Sequence, residues 1–277
     1  MKRKSYSTDL NDNEWKLLKP FMPKPKPTGR PRKHPLREIL NAIFYITKSG
    51  CVWRLLPNDF PPWQSVYYYF RLWKLDGTWK RMHEAMRTQV RKKAGRNPQP
   101  SASIIDSQSV KTTSVGGPRG YDPAKKINGR KRHLLVDTQG LVLGAKVHPA
   151  DISDREGAKL LLPPLKSQLS RLEHIWADSA YSGKVSEWIE STLGWSVEVV
   201  KHWWTGVRGF WVAPGQEPPE IPSGFHVLPR RWVVERTFAW LGFSRRLSKD
   251  YERLTDTSES FIYVAMSRLM VRRLARN

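Results

Sequence analysis

The sequence predicts an α/β chain, a mixed sheet flanked by helices and preceded by a small all-helical unit. Three observations carry this expectation. Apolar residues recur at helical spacing before residue 95. Short apolar runs of strand type begin after residue 101, two of them ending in an aspartate. Between the two regions, Gly95-Arg-Asn-Pro-Gln-Pro100 breaks both patterns. The expected division is 1–95, helical with a basic Pro-rich linker, and 101–277, bearing the sheet, with an insertion near 203–222.

The helical part reads as follows. Asn11-Asp-Asn-Glu14 is a capping box, and Trp15, Leu17, Leu18 and Phe21 form the apolar face behind it. Pro20 and Pro23 end that helix, and residues 23–35 hold five prolines and five Lys/Arg in an extended segment. Such a segment is a solvated spacer or an arm along a phosphate backbone. Leu36, Ile39, Leu40, Ile43, Phe44 and Thr47 keep helical spacing up to Gly50. Pro61-Pro62-Trp63 opens the next helix, Gly77-Thr78 breaks it, and another runs from about Trp79 to Lys93. Short helices with tight turns can form a helix-turn-helix, so this part is an expected DNA-binding unit.

In the second part, Ser103-Ile-Ile-Asp106 is a short strand. Leu134 and Val136 lead into the turn Asp137-Thr-Gln-Gly140, and Leu141 to Val147 returns as a hairpin partner. Ser153-Asp-Arg-Glu156 starts a helix that ends or kinks at Pro163 and Pro164. His174-Ile-Trp-Ala-Asp178 is a strand, Gly183 to Leu193 a helix and Val197 to Val200 a strand. A helix starts near Pro229 and runs to about residue 242, and a last one covers Ser258 to Arg276.

Composition bounds the partners. The chain has 277 residues, 39% hydrophobic, with 13 Trp, enough for a sizeable core. Its 48 Lys+Arg against 25 Asp+Glu give a formal charge of +23, which favours a polyanion and first of all nucleic acid. No apolar run reaches the roughly 18 residues of a membrane span. Asp9, Asp12 and Glu14 stand where a signal peptide would be apolar, so a cytoplasmic, nucleoid-associated protein without a membrane partner is expected. The single Cys51 excludes an internal disulfide and a Cys-based zinc cluster, and the histidines show no pair at metal-ligand spacing.

Asp106 and Asp178 end apolar strands, where α/β sheets open their ligand crevices. Glu235 lies at the rim of the apolar arc formed by Val233, Val234, Phe238, Trp240 and Leu241, beside the small residues Ala239 and Gly242. Each acid has a plainer role: Asp106 and Asp178 as turn residues, Glu235 as the i, i+4 partner of Arg231. Three carboxylates in one cleft repel one another unless cations neutralise them, and oxygen donors favour Mg²⁺ or Mn²⁺. Two such ions about 3.5–4 Å apart would clamp the oxygens of a phosphodiester. Asp137 is assigned to its turn, and Asp151 and Asp154 to a helix start.

Four stretches, in this order, look like the DDE transposases of bacterial insertion sequences, in their insertion-sequence-five branch. They are Asp106-Ser-Gln-Ser-Val-Lys-Thr112, Gly129-Arg-Lys-Arg-His133, Ala177-Asp-Ser-Ala-Tyr181 and Arg231-Trp-Val-Val-Glu-Arg-Thr-Phe-Ala-Trp240. Leu10 to about Met86 resembles the helical region found ahead of that core. The resemblance implies an RNase H-like catalytic core with Asp106, Asp178 and Glu235 as its acids and metal ligands, holding two Mg²⁺ or Mn²⁺ ions. It also implies binding of terminal inverted repeats and target DNA, strand cleavage and strand transfer, and at least a dimer in the DNA complex. Around the third acid the family has Tyr, Arg, Glu and a basic residue at fixed spacing. Arg231 and Glu235 match, while Leu228 and Gly242 depart and Arg245 and Arg246 follow closely. A non-enzymatic repressor and an RNase H-like nuclease without strand transfer remain open beside this reading.

The basic residues point the same way. The stretch 111–132 holds seven Lys/Arg and one acid, Asp122, and reads as a flexible loop after the first acid. Phosphate contacts are expected from Lys111, Lys125, Lys126, Arg130, Lys131 and Arg132, and from Arg231, Arg236, Arg245 and Arg246. Trp203, Trp204 and Trp211 are candidates for stacking on unpaired bases.

Overall fold

Asn11 starts the first helix, α1 (Asp12–Leu18), by the expected reciprocal exchange. Its side chain accepts from the Glu14 N–H at 2.8 Å, and the Glu14 carboxylate accepts from the Asn11 N–H at 3.0 Å. The computed structural model describes residues 3–24, 31–200 and 230–276. Helix α2 (Leu36–Ser49) follows Pro35 and ends on Gly50 in the left-handed region. Helix α3 (Trp63–Leu75) follows Pro62, and α4 (Thr78–Lys93) starts after Gly77. The expected insertion at 203–222, with its three tryptophans, and the helix start at Pro229 lie outside the described residues.

A six-stranded mixed sheet fills the second part: β1 (Ala102–Lys111), β2 (Gly120–Asp122), β3 (Ile127–Asp137), β4 (Val142–Pro149), β5 (His174–Ala177) and β6 (Ser196–Val199). Strand β3 runs antiparallel between β1 and β4, and β2 pairs its start. Strands β1, β5 and β6 run parallel. Helices α5 (Asp154–Leu161) and α6 (Lys184–Leu193) serve one face, and α7 (Trp232–Gly242) and α8 (Thr255–Ala275) the other.

Side-chain alternation splits the core in two. Ile105, Leu135, Ile175 and Ala177 pack with Leu161, Leu162 and Ile189 of α5, its continuation and α6. Ile104, Leu134, Val136 and Val142 pack with Val234, Leu241 and the buried length of α8. That second core continues without a gap into Leu18, Ile43, Phe70, Trp73, Trp79 and Met86 of the N-terminal helices. The break at 95–100 is thus a change of element type, and the packing runs across it.

One buried ion pair joins the two parts. Asp137 holds its turn, as expected, by accepting from the N–H groups of Gln139 and Leu141, each at 2.9 Å. It also pairs with Arg91 of α4, and both side chains are buried. Removing one partner of a buried pair strands the other charge. Asp137→Ala is expected to destabilise the chain by about 3–5 kcal/mol in chemical denaturation.

Candidate active site

The β1–β5 register sets the first two acids side by side. Ile104 pairs with Trp176 in the parallel ladder. Two residues further on stand Asp106, still in β1, and Asp178, just past the end of β5, close enough for Asp106 to feel its charge. Asp106 accepts from the Ser107 N–H at 2.7 Å. Asp178 caps a short 3-10 turn by accepting from the Ala180 N–H at 2.9 Å. Asp178 thus has its turn role, whereas Asp106 stands in the middle of β1 and not at a strand end or turn; both leave carboxylate oxygen to spare. Burial, then the charge of Asp178, pushes the Asp106 carboxyl up to about 7, against the pull of Ser107, Arg231 and Lys125.

Helix α7 packs across β1 and β3 and brings the third acid to the same face. Arg231, just before the helix, lies 3.6 Å from Glu235 and 3.9 Å from Asp178. One guanidinium therefore spans the second and third acids. Arg236, beside Glu235, donates to the Gln139 carbonyl at 3.0 Å, and Thr237 to the Gly140 carbonyl at 2.8 Å. Among the described residues, no three carboxylate, imidazole or thiolate groups lie close enough to enclose an ion. The donor set still fits a divalent cation. It is all oxygen, and Asp106 resists ionisation until positive charge arrives.

Behind Asp106 is a polar layer that the sequence did not disclose. Ser107 donates to Asp154 at 2.7 Å, and Lys131 lies 3.2 Å from the same carboxylate. Burial raises the Asp154 carboxyl, but the Ser107 bond and the Lys131 charge oppose it and hold it below the usual value. His148 Nδ1 lies 2.8 Å from the Pro149 carbonyl, which can only accept, so this nitrogen carries the hydrogen. His148 Nε2 then accepts from His133 Nδ1 at 2.8 Å, and His133 Nε2 is left bare, 3.8 Å from Asp154. Burial, then His148, lowers His133 to about 3, so the ring stays neutral. The buried Tyr181 hydroxyl has no hydrogen-bond partner among the described residues; burial, then the charges of Asp106, Asp154 and Asp178, raises it. His133 and Tyr181 close two of the sequence stretches noted above. The pairing of His133 with His148 arises across the β3–β4 ladder, which residue spacing did not suggest.

The basic residues divide. Stretch 111–132 is largely the β2–β3 hairpin, with its turn held by Asp122, which accepts from Ala124 and Lys125 N–H groups. Gly129 is required there, because a Cβ would lie 2.0 Å from the Val110 carbonyl oxygen. Arg130, Lys131 and Arg132 are buried in β3, contrary to the expectation of a flexible loop. Arg130 pairs with Asp250 at 3.1 Å and donates to the Pro118, Glu252 and Arg253 carbonyls. Arg132 donates to the Leu247 and Lys249 carbonyls, and Lys131 to Ile152. These three are spent on contacts inside the fold. Arg246 is also buried, 2.6 Å from Glu252, so it does not stand in for the basic residue missing at Gly242. Lys111, Lys125, Lys126 and Arg245 are exposed, and Lys125 Nζ reaches the Ser107 carbonyl at 3.1 Å, beside Asp106.

Residues 10–83 match the family model described as "Putative transposase of IS4/5 family", and residues 97–270 the one described as "Transposase DDE domain". The chain is similar to the "Insertion element IS402 uncharacterized 16.2 kDa protein" of Burkholderia cepacia, 31% identical over 120 residues, 41% of this chain and 80% of that protein. It is also similar to the "Putative transposase for insertion sequence element IS402" of the same organism, 27% identical over 166 residues, 57% of this chain and 69% of that protein.

The raised Asp106 makes stability depend on pH. Its folded value, about 7, exceeds the ordinary carboxylate value of 3.8, so the protonated form favours folding. That contribution is complete below about 4 and is lost as pH rises through about 7. Asp106→Asn should therefore melt higher than wild type at pH 8 in a chelating buffer, with the gap closing as pH falls toward 4. A gap that stays constant with pH would remove Asp106 from this electrostatic role.

Proposed function

The chain belongs to the family of transposases with a DDE domain, and on that premise we propose that it binds the terminal inverted repeats of its element and catalyses metal-dependent strand cleavage and strand transfer. Membership implies an RNase H-like core, and the order β4-β3-β1-β5-β6, antiparallel then parallel, accords with it. One observation supports the choice of site above the rest. Asp106 and Asp178 are register neighbours, and Arg231 links Asp178 to Glu235.

In this reading Asp106 and Asp178 hold two divalent ions, Mg²⁺ or Mn²⁺, and Glu235 completes the set. Bound ions would supply Lewis-acid stabilisation to the attacking and leaving oxygens of the phosphodiester. The chain's own residues do the rest. Asp106 gives up its proton when positive charge enters, since burial and Asp178 are what hold that proton. Arg231 serves as counter-ion to Asp178 and Glu235 and is positioned to meet a phosphate beside them. Lys125, on the hairpin beside Asp106, is placed to steady the same strand. Lys111, Lys126 and Arg245 extend the phosphate contact around it. Water or a hydroxyl at the terminal phosphodiester cuts the strand, and the freed 3′-hydroxyl then attacks target DNA. Two ends must be joined, so the active complex holds at least two copies.

The test is cleavage of DNA carrying the element's own ends, with Mg²⁺ or Mn²⁺, by wild type and Glu235→Gln. The substitution keeps the shape and removes the charge, and should cost over about a hundredfold in rate, a few kcal/mol of transition-state stabilisation. Pre-cleaved ends should be joined to target DNA by wild type alone. Equal cutting by both proteins would make Glu235 a structural ion-pair residue. Binding by both without cutting would move the repressor reading forward.

A further inference from the structure

A cavity of about 500 Å³ lies between α2, α7 and α8, apart from the candidate acids. Lys48, Arg268, Arg272, Arg273 and Arg276 line it, and no acidic side chain among the described residues does. Some of this charge is spent inside the protein. Arg268 pairs with Glu14 at 2.8 Å, and Arg272 lies 4.0 Å from the same carboxylate. Arg273 has no such partner among the described residues. It rests on the ring of Trp240, 4.3 Å from the centroid. Arg236 rests on the same ring at 4.8 Å, also without a carboxylate among the described residues.

Two guanidiniums held on one indole repel each other. Cation–π attraction holds each in place and leaves the net charge uncancelled. Burial, then the like charge of Arg236, lowers Arg273, against the pull of Asp137. The position on α7 suggests which anion belongs there. Arg236 follows Glu235 directly, and Trp240 stands one turn further on the same row, about 6 Å along the axis. The row through Glu235 continues over exposed Ala239 and Gly242, where a Cβ on Gly242 would meet nothing within 4 Å. A polyanionic strand leaving the acids along α7 therefore meets little bulk and then this charge.

We propose that Arg236 and Arg273, carried on Trp240 at the mouth of the Lys48–Arg276 cavity, form a second phosphate-binding site for the DNA strand that passes the candidate acids. The inference rests on the DNA-processing reading above and adds a site that is separate from the acids. Its ligand is the phosphodiester backbone, read without regard to base.

The experiment is a salt titration of DNA binding, followed by fluorescence anisotropy, for wild type, Arg236→Gln/Arg273→Gln and a control, Arg171→Gln. Arg171 is exposed and lies on another part of the surface, where it donates to Gln99. Each phosphate contact contributes about 0.9 to the slope of log K against log salt, so the double variant should lose about one to two from that slope while the control keeps it. Should the double variant fail to fold, Lys48→Gln/Arg276→Gln, both exposed, should lower the slope instead. Wild-type binding with an unchanged slope in the variants overturns the cavity site and leaves the transposase reading intact. Equal loss in the Arg171 control overturns it too, as an effect of net charge alone. A cavity built for free phosphate would raise the melting temperature of wild type with inorganic phosphate and leave the DNA slope unmoved, which sinks the strand assignment. No DNA binding by wild type at all removes both readings together.

Discussion

The candidate site depends on the pairing of Ile104 with Trp176. That register in a parallel ladder places Asp106 and Asp178 as neighbours, two residues beyond it. A slip of one residue would send either carboxylate to the opposite face. The register is pinned from both sides. Ile105 and Ile175 are committed to the core under α5 and α6, while Ile104 packs toward α7 and α8 with Trp176 against it. Hydrophobic alternation thus does the positioning, and the electrostatic strain at Asp106 is its by-product. The chain holds two acids together that would move apart in water, so the fold itself carries the cost that a cation would relieve.

The same alternation explains which basic residues were misjudged. The run Arg130-Lys-Arg132 has the look of a solvated charge cluster. Its strand is buried on both faces, so each side chain needs an internal acceptor. Those acceptors are Asp250 and the carbonyls of Leu247, Lys249, Glu252 and Arg253, more than 100 residues later in the chain. Nothing local in the sequence reveals them. A formal charge of +23 therefore overstates what is offered to a polyanion, because Arg87, Arg91 and Arg246 are inside as well.

Much of the rest was legible. Capping chemistry marked α1 and α5, prolines and Gly50 bounded α2 and α3, and the Asp137 turn fell where its residues put it. Acids at the ends of two apolar runs marked Asp106 and Asp178, and the 100° arc marked the α7 face. What stayed hidden needed partners distant in sequence. The β2–β3 hairpin is set by Asp122 and by the close passage of Gly129 over Val110. The layer of Ser107, Asp154, His133 and His148 needs three strands and a helix to meet.

The Asp137 turn connects these observations. Arg91 of α4 holds it from the N-terminal side. The carbonyls of Gln139 and Gly140, in the same turn, receive Arg236 and Thr237 of α7. Gly140 has φ +81°, and a Cβ on it would lie 2.8 Å from the Thr237 hydroxyl oxygen, so no larger residue allows α7 to sit this close. Glu235 is the residue immediately before that anchor. The placement of the third acid thus rests on a turn that the N-terminal helices themselves clamp, through one buried ion pair and a shared apolar core. A helical unit that engaged DNA would be mechanically continuous with the helix that carries Glu235. The two parts of this chain are therefore better understood as one packed body than as a reader tethered to an engine.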